Sequence, residues 1–431
     1  MSPILKKTTT FILAALIVLN MAAFLAFTNV TTADAAFSKA SANRIAEEGK
    51  LETLKAKAYA AIYFDSGRVV FESKTSRDRF SVGNLIKLMT LYLTFEAVSK
   101  GETGMNSGVK VSKAAQNISV GRERVFLDSG KGEVITVEEA VIGMIAGSAN
   151  DCAYALAEHI SGSTEEAFVA MMNAKAAELG LTDTVYKDST GILIKEDGQY
   201  TSARDLCVLS YRLVKDFPDV LKYSKITSGM FVHTSTGQPD TQMQNSNALV
   251  YSEMMEGADG LLVGYSKADL YAQAASAMVG EERTIAVVIG EETPELRAGE
   301  LKFLLTHTAR SFEHKELDKE GTYVRMINIK DGKALKVKTC TGGDFSYIAD
   351  LTEKHTIEKK IVLDGKVEAP VSKGDVVGKV VYQKITENED GETEVEEIGS
   401  VDLLIDEDVD RASWFTRLIR KILAFFGLMD Y

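Results

Sequence analysis

Asn84 and Lys87 stand three residues apart in the stretch Ser81-Val82-Gly83-Asn84-Leu85-Ile86-Lys87-Leu88-Met89-Thr90. On a helix that spacing stacks two side chains about one turn apart on a single face. Leu85, Ile86, Leu88, Met89, Leu91 and Leu93 supply the burying surface around them, so Lys87 is expected to be buried. A buried lysine beside a polar group is either a base whose proton is loosened by desolvation or a cation held by acceptors. Asn84 is an acceptor and donor but not a nucleophile, because a carboxamide has no ionisable hydroxyl or thiol with which to attack a carbonyl. Ser148 and Asn150 place a hydroxyl and a second amide two residues apart after an apolar helix. Leu262-Val263-Gly264, by contrast, carries no ionic group.

In order and spacing, Asn84-Leu85-Ile86-Lys87, Ser148-Ala149-Asn150 and Leu262-Val263-Gly264 resemble the SxxK, SxN and KTG motifs of penicillin-binding serine acyl-transferases. The flanks narrow this resemblance to the low-molecular-weight D-alanyl-D-alanine carboxypeptidases, peptidase family S11. They are Leu88-Met89-Thr90, Gly147-Ser148-Ala149-Asn150-Asp151 running into Ala155-Leu156-Ala157-Glu158-His159, and Tyr200-Thr201-Ser202-Ala203-Arg204-Asp205-Leu206. The resemblance assigns Lys87 as general base, Ser148 as proton-shuttling hydroxyl and Asn150 as the amide that steadies substrate and lysine. It puts Asn84 where the nucleophilic serine belongs, and Leu262 and Val263 where a lysine and a threonine hold the substrate's terminal carboxylate. Two of the three motifs are therefore degenerate, and loss of the nucleophile in a serine enzyme removes on the order of 10⁶ in turnover.

Two functional expectations follow. The first is a D-alanyl-D-alanine carboxypeptidase-like protein that is catalytically silent and serves as a membrane-tethered binding or regulatory protein of peptidoglycan maturation, with stem peptides or cell-wall enzymes as partners. The second is an active carboxypeptidase using a displaced nucleophile, motivated by the surviving Lys87, Ser148 and Asn150. Ser81, six residues before Lys87, lacks the one-turn geometry. Cys152 is read either as a buried small hydrophobe or as a substitute thiol nucleophile. In the first expectation, the Asn84 amide oxygen accepts from the Lys87 ammonium and keeps a buried cation satisfied. Lys267, past Gly264, is expected to lie beyond a turn and not to replace the missing cation.

These residues need a scaffold, and 431 residues with 45% hydrophobic content suffice for two domains with real cores. A formal net charge of −13 argues against nucleic acid as a partner. Cys152, Cys207 and Cys340 are widely spaced, odd in number and show no metal-like pairing, so neither disulfides nor a metal or other cofactor is expected.

Lys6 and Lys7 before the apolar run from Phe11 to Phe27, then Ala33-Asp34-Ala35, read as a secretory signal over residues 1–35, with an uncleaved anchor as the rival. Strand-like runs at Ala58 to Phe64 and Arg68 to Ser73 flank the turn Asp65-Ser66-Gly67. The helix carrying Asn84 and Lys87 is expected from about Asn84 to Ser99. Thr136 and Glu139 form a capping box for the next, and Ser163-Thr164-Glu165-Glu166 suggests another. A helix from near Ser202 stops before Pro218. A strand from Gly257 to Gly264, strands at Tyr271 to Met278 and Thr284 to Ile289, and a helix from Pro294 to Phe312 complete residues 36–315, the carboxypeptidase-like domain.

Charged residues 313 to 321 read as a linker into a small all-β domain, residues 316–408, with strands at Tyr323 to Ile329, Leu335 to Thr339, Thr356 to Leu363, Val376 to Lys384 and Gly399 to Leu404. In residues 409–431, Trp414, Phe415, Leu418, Ile422, Phe425, Phe426 and Met429 fall on one helical stripe. Ser413, Thr416, Arg417, Arg420 and Lys421 fall on the other. That pattern predicts an interfacial membrane helix with basic residues facing anionic headgroups. The fold class is α+β: an antiparallel sheet with a helical cluster, as in the β-lactamase/transpeptidase-like domain, then a β domain and a terminal amphipathic helix. The expected address is the outer face of the cytoplasmic membrane.

Overall fold

The computed structural model describes residues 37–118, 123–194, 197–387 and 393–426. The expected signal over residues 1–35 lies outside them, as does Met429. The chain divides after Leu305 into two compact units.

In the first unit the hairpin β1 (Ala58–Tyr63) and β2 (Arg68–Glu72) turns at Asp65-Ser66-Gly67, as its sequence predicts. The chain then makes a 3-10 turn, Gly83–Ile86, which feeds α2 (Lys87–Ser99); α1 (Lys39–Glu48) precedes the hairpin. Next come β3 (Gly108–Lys110), α3 (Lys113–Asn117), β4 (Val134–Thr136) and α4 (Val137–Ala146), whose Thr136–Glu139 capping box is formed in both directions. Helices α5 (Asn150–Ser161), α6 (Glu165–Glu178), α7 (Ala203–Asp216) and α8 (Val220–Ser224) complete the helical cluster. At α6 the second capping box is not made. Thr164, not Ser163, is the cap and accepts from the Ala167 amide, so an alanine stands where the reciprocating glutamate would be, and Glu165 accepts from the Ser189 amide and hydroxyl.

After the hairpin β5 (Ser228–Phe231) and β6 (Thr241–Gln244) and the short α9 (Ala248–Tyr251), the chain returns to the sheet. The single strand expected over Gly257 to Gly264 is two, β7 (Ala258–Gly260) and β8 (Val263–Ser266), both on β9 (Leu270–Val279). They are interrupted by Leu261, whose φ of 87° breaks the ladder. With β10 (Glu282–Glu291) the antiparallel order is β2-β1-β10-β9-β7, and α10 (Pro294–Arg310) follows.

Period-2 alternation decides which side chain meets which layer. Ala272, Ala274, Ile285, Val287 and Ile289 join the core under the helical cluster. Ala275, Ala277, Ala286 and Val288 join a second core with Leu301, Leu304 and Leu305 of α10. The sheet is thus buried on both faces, and each large aliphatic chain so covered contributes roughly 1.5–3 kcal/mol.

In the second unit the segment read as a linker is strand β11 (Phe312–Asp318), which pairs with β14 (Phe345–Asp350). Residues 313–316, polar or charged and exposed on both faces, hid the strand from a hydropathy pattern, whereas Asp318 at its end is buried. Strands β12 (Tyr323–Asn328), β13 (Lys336–Thr341), β15 (His355–Leu363), β16 (Val376–Glu387) and β17 (Thr393–Ile405) form a sheet in the order β12-β13-β17-β16-β15. Ile327, Val337, Val380, Tyr382, Leu403 and Ile405 fill its core.

Helix α11 (Trp414–Phe425) is capped by Ser413, which accepts from the Thr416 amide. Its apolar stripe, including Trp414, Phe415, Leu418, Ile422 and Phe425, is 46–85% exposed. Its basic stripe, however, does not face outward as a set. Arg420 donates to the Gly332 carbonyl at 2.6 Å and Arg417 lies 3.7 Å from Asp331, which leaves Lys421 exposed. Those contacts dock the polar face on the β domain, correcting the expectation that the arginines are offered to headgroups. No helix among the described residues is long and apolar enough to cross a membrane.

Candidate functional site

The turn that delivers Asn84 sets the geometry of the site. Because residues 83–86 wind as a 3-10 helix, side chains three apart eclipse rather than stagger, and Asn84 lies directly over Lys87. The Lys87 ammonium donates to Asn84 Oδ1 at 2.5 Å and to Asn150 Oδ1 at 2.7 Å. Lys87 is fully buried. Burial lowers its pKa to about 8, against the opposing pull of Glu123, Asp188 and Asp151. At neutral pH the ammonium form still dominates by roughly tenfold.

A residue that sequence reasoning passed over completes the arrangement. Glu123 Oε1 accepts from Asn84 Nδ2 at 3.0 Å, and its Oε2 accepts from Asn150 Nδ2 at 3.3 Å. The four side chains therefore close a ring: ammonium to two amide oxygens, two amide nitrogens to one carboxylate. Through the amide dipoles the buried cation and the exposed carboxylate compensate each other without touching.

The loop carrying Glu123 is tied to the start of α5. The Asn150 amide donates to the Glu123 carbonyl at 2.9 Å, and Asp151 Oδ2 accepts from the Val125 and Leu127 amides, each at 3.2 Å. Burial raises the Asp151 pKa, and those backbone bonds oppose the shift. A carboxylate beside the first turn of α5 also meets the favourable end of the helix dipole. No residue type at position 123 is demanded by the SxxK, SxN or KTG spacing, and Glu123 lies 39 residues from Asn84 in the chain, so no local signal pointed to it.

Ser148 adopts a left-handed backbone, φ 53°, between α4 and α5. Its hydroxyl is half-buried and makes no hydrogen bond among the described residues. Asn84, Lys87 and Asn150 are brought together as expected.

The degenerate third motif does not open onto solvent. Leu262 is 5% and Val263 9% exposed, and Leu262 belongs to the main core. Gly264 serves packing: a Cβ there would lie 2.0 Å from the Val82 carbonyl oxygen, so β8 rests backbone to backbone on the chain entering the 3-10 turn. Lys267 sits exposed in the turn between β8 and β9, past the strand end.

Ser81 is buried, with its amide donating to Asp269 and its carbonyl accepting from Ser266. The Cys152 thiol is fully buried, and desolvation first, then the Asp151 charge, pushes its pKa well up, the reverse of what a thiolate nucleophile needs. Cys207 and Cys340 are also buried and free. Among the described residues no group of three or more His, Cys, Asp or Glu side chains is disposed to hold a metal ion.

Residues 43–293 match the peptidase S11 family, D-alanyl-D-alanine carboxypeptidase, and residues 312–411 match the penicillin-binding protein 5 C-terminal domain. The chain is 33% identical over 398 residues to the D-alanyl-D-alanine carboxypeptidase DacF of Bacillus subtilis (strain 168), covering 91% of this chain and 95% of that protein. It is 29% identical over 345 residues to the carboxypeptidase DacC of Escherichia coli (strain K12), covering 77% and 80%. Among solved structures, penicillin-binding protein 5 of Haemophilus influenzae is similar with a TM-score of 0.60 and 27% identity, over 83% of this chain and 98% of that one.

Proposed function

Given that the chain belongs to the D-alanyl-D-alanine carboxypeptidases of peptidase family S11, a family of peptidoglycan metabolism, we propose that its acyl-transfer site is catalytically silent. In this reading the protein acts as a membrane-tethered binding or regulatory partner in peptidoglycan maturation. The observation that carries the reading is the Asn84 carboxamide standing in the nucleophile position with its oxygen 2.5 Å from the Lys87 ammonium.

Covalent catalysis needs an attacking atom and a base free to take its proton. Here the attacking atom is replaced by an amide. The base is largely protonated at neutral pH, and its ammonium donates to two amide oxygens. The loss of lysine and threonine at Leu262 and Val263 supports the same reading, since a hydrophobic pair gives a terminal carboxylate no charge-assisted partner.

Membrane tethering is supported by α11, whose apolar face is uncovered while its arginines are committed to their own domain. A helix with one broad aromatic and aliphatic face suits the bilayer interface. Residues 1–35 would act as the export signal, placing the rest on the outer face of the cytoplasmic membrane.

The test is the intact mass of the purified protein after incubation with a reactive penicillin. The triple variant Asn84→Ser, Leu262→Lys, Val263→Thr serves as positive control. The expected result is no adduct on the unaltered protein while the control is labelled. A stoichiometric adduct on the unaltered protein, mapped to Ser81, Ser148 or Cys152, would return the chain to the working carboxypeptidases and overturn the reading.

A further inference from the structure

Two amide nitrogens converge on one carboxylate in this site, and nothing in the catalytic motifs requires that they do so. Asn84 Nδ2 and Asn150 Nδ2 each donate to a different oxygen of Glu123, at 3.0 and 3.3 Å. This is the two-donor, two-acceptor pattern by which a guanidinium grips a carboxylate, built here from two carboxamides. Both amides are oriented from behind, because their oxygens are claimed by the buried Lys87 ammonium. That orientation fixes which end of each amide faces outward and puts a positive charge behind the donors. Asn150 and Lys87 are fully buried, whereas Glu123 is exposed. The donors thus run from the buried Asn150 to the half-buried Asn84, and their occupant sits on the solvent side.

We propose that the Asn84–Asn150 amide pair, backed by Lys87, is a carboxylate-binding fork of which Glu123 is the built-in ligand, and that a peptide ending in a free α-carboxylate binds it by displacing Glu123. The inference rests on the silent-site reading, since it uses Asn84 as a binding group in the place of a nucleophile. It assigns carboxylate recognition to the first and second motifs in a chain whose third motif, Leu262-Val263-Gly264, has no ionic group to offer.

The competition has a direction that can be measured. A tethered carboxylate competes as if present at millimolar concentration, and a receptor that is open only a tenth of the time binds an outside ligand about tenfold more weakly than its intrinsic constant. Removing Glu123 therefore tightens binding of an outside carboxylate.

The experiment is titration calorimetry of the purified full chain with diacetyl-L-lysyl-D-alanyl-D-alanine and with the same peptide carrying a C-terminal carboxamide. The proteins are the unaltered chain, Glu123→Ala, Glu123→Gln, and Glu123→Ala combined with Asn84→Asp. The expected result is weak binding of the acid to the unaltered chain and about tenfold or more tightening in Glu123→Ala. Intermediate tightening is expected in Glu123→Gln, with loss in the Asn84→Asp combination, where a carboxylate faces a carboxylate. The carboxamide peptide should bind none of them appreciably. Glu123→Ala and Glu123→Gln both binding no tighter than the unaltered chain, or the carboxamide binding as well as the acid, would overturn the fork.

Free D-alanine is assayed in the same samples. Its release by the unaltered chain would refute the silent-site reading whatever the binding data show. No release together with no tightening would refute the fork alone.

Discussion

Asn84→Ala removes two hydrogen bonds of unequal worth, and the difference between them is testable. Toward Glu123 the loss is small, because that carboxylate is exposed and water replaces the amide. Toward Lys87 it is large. The ammonium is fully buried and is left with Asn150 as its remaining acceptor among the described residues. A hydrogen bond to a charged group contributes about 1.5–3 kcal/mol, and an unsatisfied buried charge costs at least as much. A deficit of about 2 kcal/mol is therefore expected at pH 7.

The sign of its pH dependence follows from Lys87. Its folded pKa is depressed to about 8 from an unfolded value of 10.5, so the stability linked to it is present above 10.5 and is lost as pH falls through about 8. Above pH 8 the folded lysine is neutral and no longer needs two strong acceptors. The deficit of Asn84→Ala should then shrink to under about 1 kcal/mol near pH 9.5. The assay is urea unfolding of unaltered and Asn84→Ala chains at both pH values. Asn84→Ser is the comparator, because a hydroxyl keeps an acceptor near Lys87 and should lose less. An equal deficit at both pH values, or none at pH 7, would refute the argument that Asn84 satisfies a charged buried lysine.

Three further outcomes are expected. Asn84→Ser alone should acquire little penicillin acylation or D-alanine release, while adding Leu262→Lys and Val263→Thr should confer some, read by intact mass; full activity from the single change would show that the third motif is dispensable. Glu291 is buried beside Glu300, whose oxygens already accept from the Lys55 and Ala56 amides at 2.6 and 3.0 Å. Desolvation first, then that neighbour, pushes the Glu291 pKa well up. The associated stability is complete below the ordinary carboxyl value and declines as pH rises toward the raised folded value. Glu291→Gln should flatten that decline and raise the melting temperature at pH 8, and a lower melting temperature would contradict it. Finally, Trp414→Asp with Phe425→Asp should abolish flotation with lipid vesicles. Because only Lys421 of the three cations is uncommitted, changing from zwitterionic to anionic vesicles should strengthen binding by no more than the roughly 1 kcal/mol expected of one cation; a much steeper dependence would mean that the arginines leave the β domain.

What the sequence determined by itself is local and periodic. Residue types at fixed short spacing placed Asn84 over Lys87, the capping box at Thr136 and Glu139, and the apolar stripe of α11, because each depends on helical geometry within a turn or two. Apolar runs bounded by turn residues marked β1, β2, β9, β10, β12, β13, β15, β16 and β17 for the same reason, but not the short hairpins β3–β4 and β5–β6 or the pair β11–β14. Tertiary structure alone decided the rest. It brought Glu123 across 39 residues to face two amides, formed β11 from a charged segment by pairing it with β14, and split the strand before Gly264 at the left-handed Leu261. It turned Arg417 and Arg420 inward. A buried ammonium must find acceptors, a charge must find a counter-charge and a strand edge must find a partner. Which distant group answers each demand depends on where the chain folds back, and that information is in no short window of residues.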